Sequence, residues 1–214
     1  MKVENLIQEN DKRLKVRQSE YNPYTGKGAP LKRAKLVIKD YYLPVQFVPE
    51  AMMGEQLVQQ LIKHGSIREF VLSLCKPYTD ANREVVVNSL IKVRNRYDFF
   101  YWAASLAKIK NKYGGDNIPF VLNRPQLKRI AECERMRLAG EPIRIIILKA
   151  RQWGGSTAVQ IYMAWIQLVH REGWYSSIVA QDNNTSRKIK AMYSKLLEEY
   201  PPQMLDLPEG APIE

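Results

Sequence analysis

The rhythm of polar and apolar positions changes twice along the chain. Up to about Pro49, charge is mixed with turn formers (Asn22-Pro23, Gly26, Gly28-Ala29-Pro30, Pro44, Pro49), which predicts a mostly extended arm. From Gly54 to about Tyr113 the spacing becomes helical. Leu57, Val58, Leu61 and Ile62 share one face, Val71, Leu72 and Leu74 follow, and Val85 to Val93 resume the pattern after Lys76-Pro77. The aromatic run Tyr97-Asp98-Phe99-Phe100-Tyr101-Trp102 adjoins basic residues and could stack on bases, but such a cluster on a helix more often packs in the core.

After Gly114-Gly115 the pattern turns to α/β. Ile143-Arg144-Ile145-Ile146-Ile147-Leu148 is β-branched and bounded by Pro142 and by glycines, so it reads as a buried strand. A helix is expected from Leu127 to Leu138. A second runs from Ser156 to about Glu172, nearly apolar all round between Ala158 and Val169, and is ended by Gly173. Tyr175 to Ala180 then reads as another strand. Thr185 to about Tyr200 reads as an amphipathic helix with Ile189, Met192, Tyr193 and Leu196 inward, stopped by Pro201-Pro202. Strand, helix, strand, helix is the repeating unit of a doubly wound parallel sheet. The expected organisation is a basic arm at 1–49, a helical segment at 50–115, and the first part of an α/β domain at 116–214.

Composition narrows the class. At 214 residues the chain suits one domain, or one with an appended arm. A hydrophobic share of 45% against 26% charged marks a globular chain rather than a disordered one. The longest uncharged stretch, Gln152 to Val169, is interrupted by glycines, Ser156, Thr157, Gln160 and Gln167, so no membrane span is expected. The first residues lack the apolar core of a secretory signal, which points to a reducing cytoplasm. Cys75, Cys133, His64 and His170 lack the spacing of a metal or catalytic cluster and read as structural. The net charge of +11 favours an anionic partner such as nucleic acid or nucleotide. The excess is concentrated: residues 1–43 carry ten basic against five acidic side chains, and 105–151 eleven against four.

The second basic segment leads into Lys149-Ala150-Arg151-Gln152-Trp153-Gly154-Gly155-Ser156-Thr157, between the expected strand and helix. Backbone N–H groups at a helix start point outward and the helix dipole favours an anion, so this is where a phosphate-binding loop sits. Of the pattern G-x-x-x-x-G-K-[ST], Gly154 and Ser156 fit, while Lys149 stands for the first glycine and Gly155 for the usual lysine. Lys149 could reach across the loop to the phosphates, Arg151 adds a bidentate cation, and the Ser156 hydroxyl could meet Mg²⁺. An ordinary strand-to-helix turn with Ser-Thr at the cap is the bland alternative. Upstream, Gln126 has an amide able to donate to and accept from an adenine edge at once.

Taken in order, these pieces resemble the large terminase subunits of tailed bacteriophages and related viruses, the motors that package DNA into procapsids. Tyr97-Asp98-Phe99-Phe100 leads to Ile109-Lys110-Asn111-Lys112. Pro119-Phe120-Val121-Leu122-Asn123-Arg124-Pro125-Gln126 is similar to the adenine-binding motif, and Lys149-Ala150-Arg151-Gln152-Trp153-Gly154 to a Walker A loop. Ser177-Ile178-Val179-Ala180-Gln181-Asp182 is similar to the second strand of that ATPase. The resemblance spans roughly residues 97 to 200. It implies an incomplete P-loop NTPase-type parallel sheet with flanking helices, preceded by the helical segment and the basic arm. ATP would be held by Gln126, Lys149, Arg151, Gln152, Gly154, Gly155, Ser156 and Thr157. Arg151 would act catalytically on the phosphates, and Ser156 or Thr157 would meet Mg²⁺. The implied partners are double-stranded DNA, a portal protein, a small terminase subunit and further copies of the chain in a motor, in the cytoplasm of an infected bacterium. No apolar strand here ends in Asp-Glu, and the acidic metal cluster of the family's nuclease is absent, so this chain alone is expected to bind nucleotide weakly and hydrolyse it poorly. Two other readings stay open: a helicase-like ATPase, and a basic nucleic-acid-binding or phage assembly protein with a non-functional loop.

Overall fold

The computed structural model describes residues 21–111, 113–148, 153–170, 177, 179–180, 182–201 and 204. They form a mixed α/β protein in which helices predominate and the strands make two small antiparallel sheets. The stretch expected as an extended arm is, in its second half, a hairpin: β1 (Arg33–Val37) pairs antiparallel with β2 (Val45–Pro49), Arg33 opposite Pro49 and Val37 opposite Val45. Leu36 and Val48 face inward beside the buried Gln46, while Lys35 and Val37 face out. This period of two fixes which face packs.

A 3-10 turn (Glu50–Gly54) leads from the hairpin into α1 (Gln56–His64), α2 (Ile67–Ser73) and α3 (Asp80–Tyr97). Helix starts are set by side chains that take otherwise unpaired N–H groups. Ser66 accepts from the Glu69 N–H and Thr79 from the Asn82 N–H. Asp40, in the hairpin loop, accepts from the N–H groups of Ile67 at 2.7 Å and Arg68 at 2.9 Å, so the hairpin itself anchors α2. Leu36, Ile38, Val48, Met52, Val58, Leu61, Ile67, Val71 and Leu90 close a first core between hairpin and helices.

Asp98 ends α3 and starts α4 (Phe99–Leu106), accepting from the Tyr101 N–H. Its carboxylate, with a side chain fully buried, takes both Nη atoms of Arg33 at 2.7 and 2.8 Å and meets Arg94 at 3.4 Å. Arg94 also donates to Gln46 at 2.6 Å and lies 3.9 Å from the Tyr101 ring centroid. The aromatic run is therefore core, not a stacking surface: Phe99, Phe100, Tyr101 and Trp102 are all buried.

A second core gathers the aromatics of α4 with α5 (Arg124–Leu138), α6 (Gly155–Trp165) and α7 (Asn183–Glu198), β3 (Lys108–Ile109) and β4 (Ile118–Pro119) pairing at its edge. Residues Ile166–His170 continue α6 as a π-helical turn. The Glu134 carboxylate is buried between α5 and α6, accepting from Tyr162 Oη at 2.6 Å and from Nε and Nη2 of Arg137 at 2.8 Å each. Gln160 ties α6 to α7 through the Ile189 carbonyl at 3.1 Å. On α7 Leu196 is buried and Ile189 and Tyr193 half-buried, but Met192 is exposed rather than inward.

Three expectations need correction. Residues Ile143–Leu148 are not a buried strand: they pair with no strand among the described residues, and Ile146 and Leu148 are fully exposed. The reason is non-local. A β-branched run buries its faces only when neighbouring strands flank it, and both described sheets are antiparallel pairs elsewhere. No parallel sheet occurs among the described residues. Helix α5 also begins earlier than expected, at Arg124. The second expected strand, Tyr175 to Ala180, lies mostly outside the described residues. Among those residues no helix is long and apolar enough to cross a membrane.

Candidate functional site

The candidate site is the start of α6 and the start of α5 against which it rests. Asn123 caps α5: its Oδ1 accepts from the Gln126 N–H at 3.1 Å, and Gln126 Oε1 accepts from the Asn123 N–H at 2.8 Å. This reciprocal capping box, with Pro125 in the first turn, makes α5 start at Arg124. The same two side chains reach across to the turn before α6. Asn123 Nδ2 donates to the Trp153 carbonyl at 3.1 Å, and Gln126 Nε2 donates to the Gly154 carbonyl at 2.9 Å. One turn further, Arg129 Nη1 donates to the Gly155 carbonyl at 3.0 Å, and its guanidinium carbon lies 5.3 Å from the Trp153 ring centroid.

Gly154 is the N-cap of α6 at φ +75°, in the left-handed region, and a Cβ there would sit 2.6 Å from Gln126 Nε2. A Cβ on Gly155 would meet the Trp153 ring at 2.8 Å. The consecutive glycines thus let the turn lie against α5 and fold the Trp153 ring over it. Among the described residues no side chain caps α6, as none caps α1, whereas Ser66, Thr79, Asn123 and Asp182 each give an acceptor to the helix they precede. Such a helix start is electrostatically suited to an anion.

Of the residues singled out from the sequence, Gln126, Gly154, Gly155, Ser156 and Thr157 come together here. Gln126 is buried, with both ends of its amide engaged in the capping box and the loop contact. Gly155 is buried and Ser156 is exposed on the first turn. The Thr157 hydroxyl is directed to Met192 Sδ at 3.9 Å, which leaves Ser156 as the hydroxyl nearer solvent. Lys149, Arg151 and Gln152 lie outside the described residues. Asn123, Arg129 and Trp153 were not foreseen, although the Asn-x-x-Gln spacing of a capping box was on display at 123–126.

Electrostatically the α5 side is cationic, through Arg129. Burial lowers the Arg129 pKa from its ordinary range, and Arg129 Nε and Nη2 and Trp153 Nε1 are buried without a hydrogen-bond partner among the described residues. Burial also pushes the neighbouring Cys133 thiol up, so it is a poor nucleophile. Among the described residues no group of three or more His, Cys, Asp or Glu could hold a metal ion. A divalent cation here would rely on a bound phosphate together with the Ser156 hydroxyl. No protein-family model, no curated protein and no solved structure matches the chain.

Proposed function

We propose that the turn leading into α6 is the phosphate loop of an ATPase, and that the chain is the N-terminal part of a viral DNA-packaging terminase large subunit. The observation that carries this reading is the uncapped start of α6, with Gly154 at φ +75° and its carbonyl turned to Gln126. In this reading the triphosphate lies against the N–H groups of Gly154, Gly155 and Ser156, and Lys149 and Arg151 supply the positive charge that Gly155 cannot. Ser156, with phosphate oxygens and water, completes the shell of Mg²⁺, which would neutralise charge on the phosphates. Arg151 acts on the γ-phosphate. The run Ile143–Leu148, unpaired among the described residues, would enter the loop as a strand only beside a parallel-sheet neighbour, which would cover its exposed apolar side chains.

The whole protein would couple ATP hydrolysis to translocation of double-stranded DNA in a multi-copy motor, meeting a portal and a small terminase subunit in the infected bacterial cytoplasm. The charge of +11 supports an anionic track. Displacement of a fluorescent ATP analogue by tripolyphosphate tests the assignment of the triphosphate to α6. Competition in the chain and its loss in Gly154→Val support it; binding that Gly154→Val leaves intact would move the nucleotide elsewhere.

The absence of lysine at Gly155 favours one second reading, a basic nucleic-acid-binding or assembly protein with a non-functional loop. DNA binding would then weaken steeply with salt and ignore ATP.

A further inference from the structure

The geometry points to α5 as a rail that holds the α6 turn in its anion-binding conformation, with Asn123, Gln126 and Arg129 as positioning residues. This rests on the phosphate-loop reading above and assigns Gln126 a loop contact in place of a base contact. The three residues recur every three positions and so share one face of α5. Together they send donors to three consecutive carbonyls: Asn123 Nδ2 to Trp153, Gln126 Nε2 to Gly154, and Arg129 Nη1 to Gly155, at 3.1, 2.9 and 3.0 Å, with Gln126 Nε2 also 3.4 Å from the Trp153 carbonyl.

In a trans peptide the C=O and the following N–H point in opposite directions. The Gly154 carbonyl also accepts from the Ala158 N–H at 3.1 Å inside α6, so helix and rail fix it together, whereas the Trp153 carbonyl precedes the helix and is held by Asn123 and Gln126. Holding these carbonyls on the α5 side turns the N–H groups of Gly154, Gly155 and Ser156 the other way, which is the arrangement an incoming anion needs. Gln126 is suited to this and ill placed to read a base, because it is only 4% exposed and both ends of its amide are engaged. Arg129 adds rigidity by stacking on Trp153, so the indole and the last of the three carbonyls are fixed by one guanidinium.

Capping and loop-holding can be separated by isosteric substitution. Asn123→Asp and Gln126→Glu keep the acceptor oxygens of the capping box and remove the donors to the loop, but each adds a negative charge that itself repels an anion; Gln126→Met, uncharged and of similar length, controls for that charge. The test is run on the full chain with two readouts. Without ligand, acrylamide quenching of Trp153 emission is taken as the difference between each protein and its Trp153→Phe counterpart. The rail predicts stronger quenching in Gln126→Glu and Arg129→Gln at unchanged helical circular dichroism, and unchanged quenching overturns it.

With ligand, affinities for ATP, GTP and tripolyphosphate are compared. The rail predicts that Gln126→Glu and the uncharged Gln126→Met both weaken all three alike, by about tenfold or about 1.4 kcal/mol, since a lost loop contact is felt by the phosphates whatever base follows; a loss in Gln126→Glu alone would be charge repulsion and would overturn the rail. A loss confined to ATP, with tripolyphosphate unaffected, would restore Gln126 as a base reader and overturn the proposal. Failure of the unsubstituted chain to bind tripolyphosphate would overturn the phosphate-loop reading instead, and the quenching result would still decide whether α5 holds the turn.

Discussion

At the scale of single residues, the two positions that bear most are Gly154 and Asp98. Gly154 combines a left-handed backbone with close approach to Gln126. Gly154→Ala is expected to cost on the order of 1–2 kcal/mol for the backbone alone, and to loosen the Gln126 contact as well. Chemical denaturation checks the first effect and nucleotide titration the second. Asp98 joins Arg33, Arg94 and the start of α4 at a fully buried carboxylate. Asp98→Ala strands two buried guanidinium groups and should cost about 3–5 kcal/mol, read as a fall in the denaturation midpoint. The helix start at Gly154-Gly155 was legible from glycine spacing. Arg129 and Asn123 were not, because nothing local says which carbonyl a side chain will find across a turn, even where the capping spacing at 123–126 is plain.

Elements were legible where their pattern is local. The amphipathic face of α7, the apolar length of α6 and the core position of the α4 aromatics all follow from spacing within the element itself. Those that depend on a distant partner read poorly. The hairpin at 33–49 was hidden because an inward position of β2 is the polar Gln46 while outward positions of the hairpin include Val37 and Val45, which blurs the alternation. The run Ile143–Leu148 has the composition of a central strand but no strand beside it among the described residues. Asp40 illustrates the same dependence: it lies on the hairpin loop yet caps α2. Asp40→Ala should therefore lower stability by about 1–2 kcal/mol, although Asp40 belongs to no helix, and hydrogen exchange at Ile67 and Arg68 should rise with it.

For the whole molecule, buried phenols set an alkaline limit. Burial raises the pKa values of Tyr21, Tyr41, Tyr101 and Tyr162 well above the ordinary value near 10, helped for Tyr162 by the adjoining Glu134 carboxylate. A group with a raised folded-state pKa contributes its full stability below the unfolded value and loses it as pH rises. Stability should hold up to about pH 10 and then fall, because only the unfolded chain ionises these phenols there. Absorbance of phenolate against pH should show them titrating in one step with unfolding; gradual ionisation in a folded chain would contradict the buried placement.

The account as a whole turns on whether α6 receives a triphosphate. Its most direct test is equilibrium titration of the chain with a fluorescent ATP analogue and Mg²⁺, beside Lys149→Ala and Arg151→Ala. The account predicts saturable binding that tripolyphosphate displaces and that weakens at least about tenfold in Lys149→Ala, the loss of one charge-assisted phosphate contact. Saturable binding indifferent to both substitutions, or no binding at all by the unsubstituted chain, would contradict it.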